Sequence, residues 1–187
     1  MGAIPKLKFS VEEYLTLDRQ AERKSEYHEG ELFPVIDASI EHSSLGVNLA
    51  AILQPKLRKT GCRALFLLRT RVSPSQYVYP DLAILCGEPK LTDEHADTVT
   101  NPKVIFEILS PSTADYDHGG KFALYRMLPS FEEYVLISQD RMYVEVFRKR
   151  SSNDWSLQII EDPSQTIRIE SVGIEFVLGD LYEGVLS

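Results

Sequence analysis

The sequence predicts a single α/β domain spanning residues 1–187, with helices set against buried strands and an antiparallel meander closing the chain. Three observations carry this. Two segments in the first third place apolar residues at helical spacing. Residues 103–109 form an almost unbroken apolar run, the pattern of a strand covered on both faces. From Glu132 onward, short alternating segments are separated by turn residues. A chain of 187 residues with 43% hydrophobic and 26% charged residues suffices for one well-formed core, and no repeat, low-complexity tract or linker divides it.

Taken in order, Ser10-Val11-Glu12-Glu13 is a capping box, so a first helix is expected over residues 11–23, with Val11, Tyr14, Leu15 and Leu17 inward. Residues 25–33 alternate about Glu29-Gly30, a hairpin in which Gly30 supplies positive φ. A second helix should start between Ser39 and His42 and stop at Gly61. Its stripe is Leu45, Leu49, Ile52, Leu53 and Leu57, and Pro55 should kink it or split off its last turn. Strands follow at 62–73 and 77–85, joined by Pro74-Ser75-Gln76. Pro80 marks an edge, a bulge or a strand start. Cys62 and Cys86 are almost equidistant from that turn, and are expected as two reduced core thiols. Residues 86–102 read as a surface loop, 103–109 as the buried strand and 110–118 as a loop. A helix over 120–128 places Lys121, Leu124, Tyr125 and Leu128 on one face before Pro129 stops it. The meander comprises 132–138, 141–148, 155–161 and 166–170. In 141–148, Met142, Val144 and Val146 share one face, and Tyr143, Glu145 and Phe147 the other. A short helix is expected near 177–182.

Charge and motifs limit the chemistry. The net charge is −8, and the modest basic cluster at Arg148-Lys149-Arg150 predicts only weak binding to nucleic acid. The apolar runs fall short of the roughly 18 residues that a membrane helix needs. The start Met-Gly-Ala-Ile-Pro-Lys lacks an apolar signal region and fails the myristoylation pattern, so a cytoplasmic location is expected. There is no phosphate-binding loop, dinucleotide fingerprint, His-Glu-x-x-His pair, zinc-type histidine spacing or Gly-x-Ser-x-Gly elbow. What stands out is one carboxylate in each of two apolar runs, Asp81 and Glu107. An ionised acid in a buried strand is costly without a partner. Either each sits at a strand end facing water, or the two form a divalent-cation site. The Lys121 ammonium must snorkel to water or meet an anion, and such a site would be one. Mg²⁺ and Mn²⁺ prefer oxygen ligands of this kind. His42, in a first helical turn, reads more readily as a surface or capping residue.

The residues Glu26-Tyr27, Gly30, His42, Tyr79-Pro80-Asp81, Glu107-Ile108-Leu109-Ser110-Pro111-Ser112-Thr113, Tyr116-Asp117, Gly119, Lys121-Phe122 and Tyr125, in that order, resemble the Uma2 family. This is a group of bacterial restriction-endonuclease-like proteins within the PD-(D/E)xK nuclease superfamily, and the resemblance covers about residues 10–175. It implies a restriction-endonuclease-like mixed central sheet flanked by helices, and a Mg²⁺- or Mn²⁺-dependent endonuclease acting on DNA. The alternatives are a hydrolase of RNA or a small nucleotide, or a non-catalytic nuclease-fold scaffold that dimerises. It further implies that Asp81, Glu107 and the Ile108 backbone carbonyl hold the metal. Lys121 replaces a lysine missing at position 109, where Leu109 stands. Glu26 is the N-terminal acid, and His42 and Asp117 are auxiliary. His118 stands where the family often has arginine. Tyr143, Phe147 and Trp155 could form a homodimer interface or pack on the first helix.

Overall fold

The computed structural model describes residues 7–35 and 38–186, so the N-terminal stretch read for targeting signals lies outside the described residues. Helix α1 (Val11–Gln20) starts on the expected box: Glu13 N–H donates to Ser10 Oγ at 3.2 Å, and Ser10 N–H donates to Glu13 Oε2 at 2.7 Å. It ends at Gln20 rather than residue 23. Tyr14 is buried as expected, but the inward place one turn on belongs to Asp18, while Leu17 is 46% exposed. Strands β1 (Ser25–His28) and β2 (Glu31–Pro34) form the hairpin. Its turn puts Glu29 at φ 50° and Gly30 at φ 99°, matching the right-handed twist of the strands. Helix α2 (Ile40–Leu57) is capped by Ser39, which accepts from His42 N–H at 3.1 Å. Pro55 falls in its last turn, and the helix stops short of Gly61.

The two long strands expected at 62–73 and 77–85 each break in two. The result is β3 (Cys62–Phe66), β4 (Arg69–Ser73), β5 (Gln76–Val78) and β6 (Leu82–Cys86). Pro80 has no N–H for the ladder, so the pairing lapses at Tyr79-Pro80-Asp81. Opposite it Leu67 adopts φ 47° and donates its N–H to the Asp81 carbonyl at 3.1 Å. One hairpin therefore serves two sheets, with β3–β6 in one and β4–β5 in the other. The register sets Cys62 directly opposite Cys86, and the two are joined by a disulfide. This corrects the expectation of free thiols and removes their support for a reducing compartment.

Strand β7 (Thr98–Val99) lies within the stretch expected as loop and runs parallel to β4. Strand β8 (Val104–Leu109) is buried along its whole length. The segment after it is helical six residues earlier than expected. It comprises α3 (Ala114–Tyr116), a π-helical turn (Asp117–Lys121) and α4 (Phe122–Tyr125). This crossover returns the chain to β9 (Glu133–Ser138), parallel to β8. Then follow β10 (Val144–Lys149), β11 (Trp155–Ile160), β12 (Thr166–Ile169), β13 (Ile174–Val177) and the short α5 (Leu178–Leu181).

The main sheet has six strands in the order β11-β10-β9-β8-β6-β3, mixed because β8 and β9 are parallel. A second sheet runs β2-β1-β5-β4-β7, and β12-β13 stand as a hairpin. One face of the main sheet (Leu82, Ile84, Phe106, Ile108) packs on Leu45, Leu49, Leu53 and Leu57 of α2 and on the C-terminal hairpin. The other face (Ala83, Leu85, Ile105, Leu109 and Tyr134) packs on Tyr125, Leu128 and Phe131. The ring centres of Phe147 and Trp155 lie 4.9 and 5.1 Å from that of Phe122, so both pack on the crossover helix rather than on the first helix, and both stay half-exposed. Tyr143 instead sits under the Arg141 guanidinium at 4.2 Å. Among the described residues, no helix is long and apolar enough to cross a membrane.

Candidate functional site

The sequence-predicted residues converge where the two sheets part. Asp81 ends the Tyr79-Pro80-Asp81 corner, and Glu107 lies mid-strand in β8, on the face of Ile105 and Leu109 as its alternation requires. The two brace each other through the backbone. Asp81 N–H donates to Glu107 Oε2 at 3.2 Å, and Ile108 N–H donates to Asp81 Oδ2 at 2.7 Å. Glu107 is 2% exposed, and Tyr125 OH donates to its Oε1 at 2.7 Å.

Lys121 reaches this pair from the π-helical turn. Its Nζ stands 3.1 Å from Glu107 Oε1, 3.5 Å from Glu26 Oε1 and 3.6 Å from Asp117 Oδ1, and donates to the Tyr79 carbonyl at 3.4 Å. Turns of this kind shift the helical phase and recur at functional sites. Asp117 and Lys121, four residues apart, lie on one side of it. Gly120 is needed within it, because a Cβ there would fall 2.5 Å from the Tyr116 ring. Glu26, on the cleft face of β1, accepts from Tyr79 N–H at 3.0 Å and from Tyr116 OH at 3.3 Å. Its neighbour Tyr27 points the other way and stacks on Tyr14 of α1 at 4.9 Å.

Three carboxylates thus lie within 3.6 Å of one ammonium, with Asp81 beside them, and their affinities for protons diverge. Burial pushes the Glu107 carboxyl well above its ordinary value. Lys121 opposes this shift, and the Asp81 and Asp117 charges add to it. Burial likewise raises Asp117. Burial acts in the same direction on Glu26, but Lys121, His28 and the Tyr79 N–H outweigh it and hold that acid low. Lys121 is buried, yet the surrounding acids, Glu107 foremost, raise its pKa well above the ordinary value, so it stays charged.

His42 lies beside the carboxylates, where the family resemblance rather than its helical position would put it. Its Nε2 is 3.3 Å from Asp81 Oδ2. Burial works against its protonation, but Asp81 and a hydrogen bond to the Ile108 backbone prevail, raising its pKa. Sequence reasoning passed over His28, whose Nε2 lies 3.0 Å from Tyr116 OH. Its hairpin position gave no periodic signal. His118 takes no part: its Nδ1 is 2.7 Å from the Ala114 carbonyl and its Nε2 is 3.3 Å from Glu145.

The donor set suits a hard divalent cation. Asp81, Glu107 and the Ile108 carbonyl offer only oxygen, and Asp117 Oδ1 is buried without a hydrogen-bond partner. The cluster carries more negative charge than Lys121 cancels. Among the described residues, no three His, Cys, Asp or Glu side chains are placed to hold a metal ion together, so protein ligands alone would leave most positions of a bound Mg²⁺ to water. The cluster opens into a cleft of about 1020 Å³ that also exposes Phe33, Phe66 and Leu67.

The fold is that of a nuclease-like domain. It superposes with a TM-score of 0.76 on a solved structure described as "a putative nuclease belonging to DUF820" from Anabaena variabilis ATCC 29413, covering 94% of this chain and 98% of that one at 18% identity. The chain belongs to the Uma2 family, described as "Putative restriction endonuclease", whose model matches residues 11–179. Two uncharacterised proteins of Synechocystis sp. (strain ATCC 27184 / PCC 6803 / Kazusa) are similar to it. Protein sll1609 is 37% identical, covering 78% of this chain and 83% of its own length. Protein slr1290 is 30% identical, covering 95% and 93% respectively.

Proposed function

We propose that this protein is a metal-dependent phosphodiesterase that cleaves nucleic acid, with DNA as the first substrate to test. The observation that carries the reading is the buried set of Glu26, Glu107 and Asp117 about the single Lys121 ammonium, with Asp81 bound to Glu107 beside it at the mouth of a cleft. Asp81, Glu107 and the Ile108 carbonyl would hold Mg²⁺ or Mn²⁺, which when bound acidifies a water and neutralises a phosphate oxygen.

The protein's own groups supply the rest. Tyr125 OH and the Asp81 N–H fix both oxygens of Glu107, so that its carboxylate is oriented before substrate arrives. Lys121, held by acids on three sides, orients the attacking water or stabilises charge developing on the phosphoryl oxygens. Glu26, kept ionised, accepts a hydrogen bond from that water. His42 steadies Asp81. A scaffold without activity would be favoured by a Lys121 paired only with Asp117 at the surface. The 3.1 Å contact with Glu107 and the burial of Lys121 weigh against it.

Calorimetric titration with Mn²⁺ tests the reading without a guess about substrate. Wild type should bind, and the Asp81→Ala, Glu107→Ala double variant should not. Asp81→Asn should abolish Mg²⁺-dependent cleavage of DNA, and full activity in that variant would remove Asp81 from the mechanism.

A further inference from the structure

Among the described residues, the exposed aromatic rings are Phe33, Phe66 and Tyr116, and all three open onto the cleft that holds the carboxylates. They are not scattered. Phe33 meets His28 edge-on with ring centres 5.2 Å apart, and His28 meets Tyr116 at 6.1 Å, so a row of rings leads inward to Glu26. Phe66 stands on the opposite wall, where its ring lies over Gly46 of α2, and a Cβ at Gly46 would come within 3.3 Å of it. Next to it Leu67 is held in the left-handed region at φ 47° by the Asp81 carbonyl, a strained conformation for a leucine. The chain accepts strain and gives up a side chain in α2, and the outcome is an apolar corner facing the site.

The charges of the cleft limit how much a ligand's phosphates can contribute to binding. Five carboxylates line it (Glu22, Glu26, Asp81, Glu107 and Asp117) against the cations Arg23, Lys24 and Lys121. Lys24 is already committed to the Asp18 carbonyl at 2.9 Å, and Lys121 to the acids around it. A wall of this kind is poorly suited to tracking the phosphates of a duplex, which need a basic stripe. A single strand carries the same phosphates, so the rings make the distinction: its bases are open to stack on them, whereas a duplex hides its bases in its own stack. The cleft, at about 1020 Å³, is also at the upper end of the roughly 300–1,000 Å³ typical of a small-ligand pocket, leaving room for several units of a chain.

We propose that the cleft binds single-stranded nucleic acid, with unpaired bases stacked on Phe33 and Phe66 and against the His28–Tyr116 pair, which brings the adjoining phosphodiester to Asp81 and Glu107. This rests on the phosphodiesterase reading above and names its substrate class.

The test is fluorescence anisotropy of the full chain with Mn²⁺, using a fluorescein-labelled oligo-dT strand and a blunt duplex of the same length. The strand should bind at least about tenfold tighter than the duplex. Phe33→Ala and Phe66→Ala should each weaken strand binding by roughly five- to a hundredfold, the range for loss of one stacked base. Phe66→Leu keeps bulk without a ring and should weaken it too, whereas Phe66→Trp should restore it. Unchanged circular dichroism melts would exclude loss of fold as the cause. Equal or tighter binding of the duplex, strand binding indifferent to both phenylalanines, or no binding of either ligand would each overturn the proposal. Hydrolysis of bis(p-nitrophenyl) phosphate, which needs no base stacking, separates the two readings. Asp81-dependent hydrolysis without strand preference would sink the substrate class alone. Ring-dependent strand binding without hydrolysis would sink the phosphodiesterase reading and leave the binding site standing.

Discussion

Asp97 binds two guanidinium groups at once, and through them it steadies the corner that carries Asp81. Arg19 Nε donates to Asp97 Oδ2 at 2.7 Å, and Arg69 reaches the same oxygen at 2.7 Å. Arg69 is buried and also lies 3.3 Å from Asp18 Oδ2, the atom that accepts from Tyr79 OH at 2.5 Å. Tyr79 in turn gives its N–H to Glu26 and its carbonyl to Lys121. The hydrogen bond from Arg19 holds the Asp97 carboxyl well below its ordinary value. Burial opposes the shift, while Thr98 and Arg69 add to it. A carboxyl whose folded pKa is depressed stabilises the fold above its unfolded pKa and loses that contribution as pH falls through the folded value. Urea midpoints should therefore drop between about pH 4 and pH 2. Asp97→Asn should be less stable at neutral pH and show a shallower acid drop, and an unchanged drop would mean the pairing is immaterial. Glu107 acts with opposite sign. Its pKa is raised by burial, so its contribution is present at low pH and fades as pH rises through the folded value, which keeps the two effects apart on the pH axis.

Helix α2 shows how a simple repeat fixes a large part of the fold. Leu45, Leu49, Leu53 and Leu57 recur every fourth residue and are all buried on the main sheet. Each contributes roughly 1.5–3 kcal/mol of burial. Leu49→Ala should cost about 2–5 kcal/mol of unfolding free energy, read as a fall in the urea midpoint with the slope unchanged. A loss below 1 kcal/mol would mean that the neighbours collapse into the space, which the rigid β8 beneath opposes. This stripe, the apolar β8 and the Glu29-Gly30 turn were legible because each is a local pattern. The breaks at Leu67 and Tyr79 were only half legible. Pro80 announced one, but a leucine at positive φ has no sequence mark, since the pairing of two sheets imposes it. The helix from Ala114 was hidden because its π-helical turn departs from the ordinary helical period, and Gly119-Gly120 reads as a breaker. The meeting of Glu26, Asp81, Glu107 and Lys121 was expected from their residue types and family order. His42 was placed there only by the family order and not by its helical position, and His28 was not expected at all, because its partner Tyr116 comes from a distant element.

The hairpin running from β3 to β6 passes between both sheets, so it decides how the molecule holds its site open. At one end is the corner of Phe66, Leu67 and Asp81. At the other, Cys62 and Cys86 close a segment with a sequence separation of 24. Cross-linking a loop of this size removes conformations chiefly from the unfolded chain and stabilises by about 3 kcal/mol. Cys62 lies four residues before Phe66, roughly 13 Å along the strand, so the bond should act on global stability and leave the carboxylates in place. Thiol titration of the unreduced chain should find no free thiol. Reduction, or the Cys62→Ser, Cys86→Ser double variant, should lower unfolding free energy by about 3 kcal/mol while Mn²⁺ binding, where wild type displays it, keeps its affinity. Equal stability of the oxidised and reduced chains would show that β3 and β6 are already held by their ladder and by α2. Loss of the metal affinity on reduction would show instead that the strand carries strain from the cystine to Asp81, and that the two ends of this hairpin are one mechanical unit.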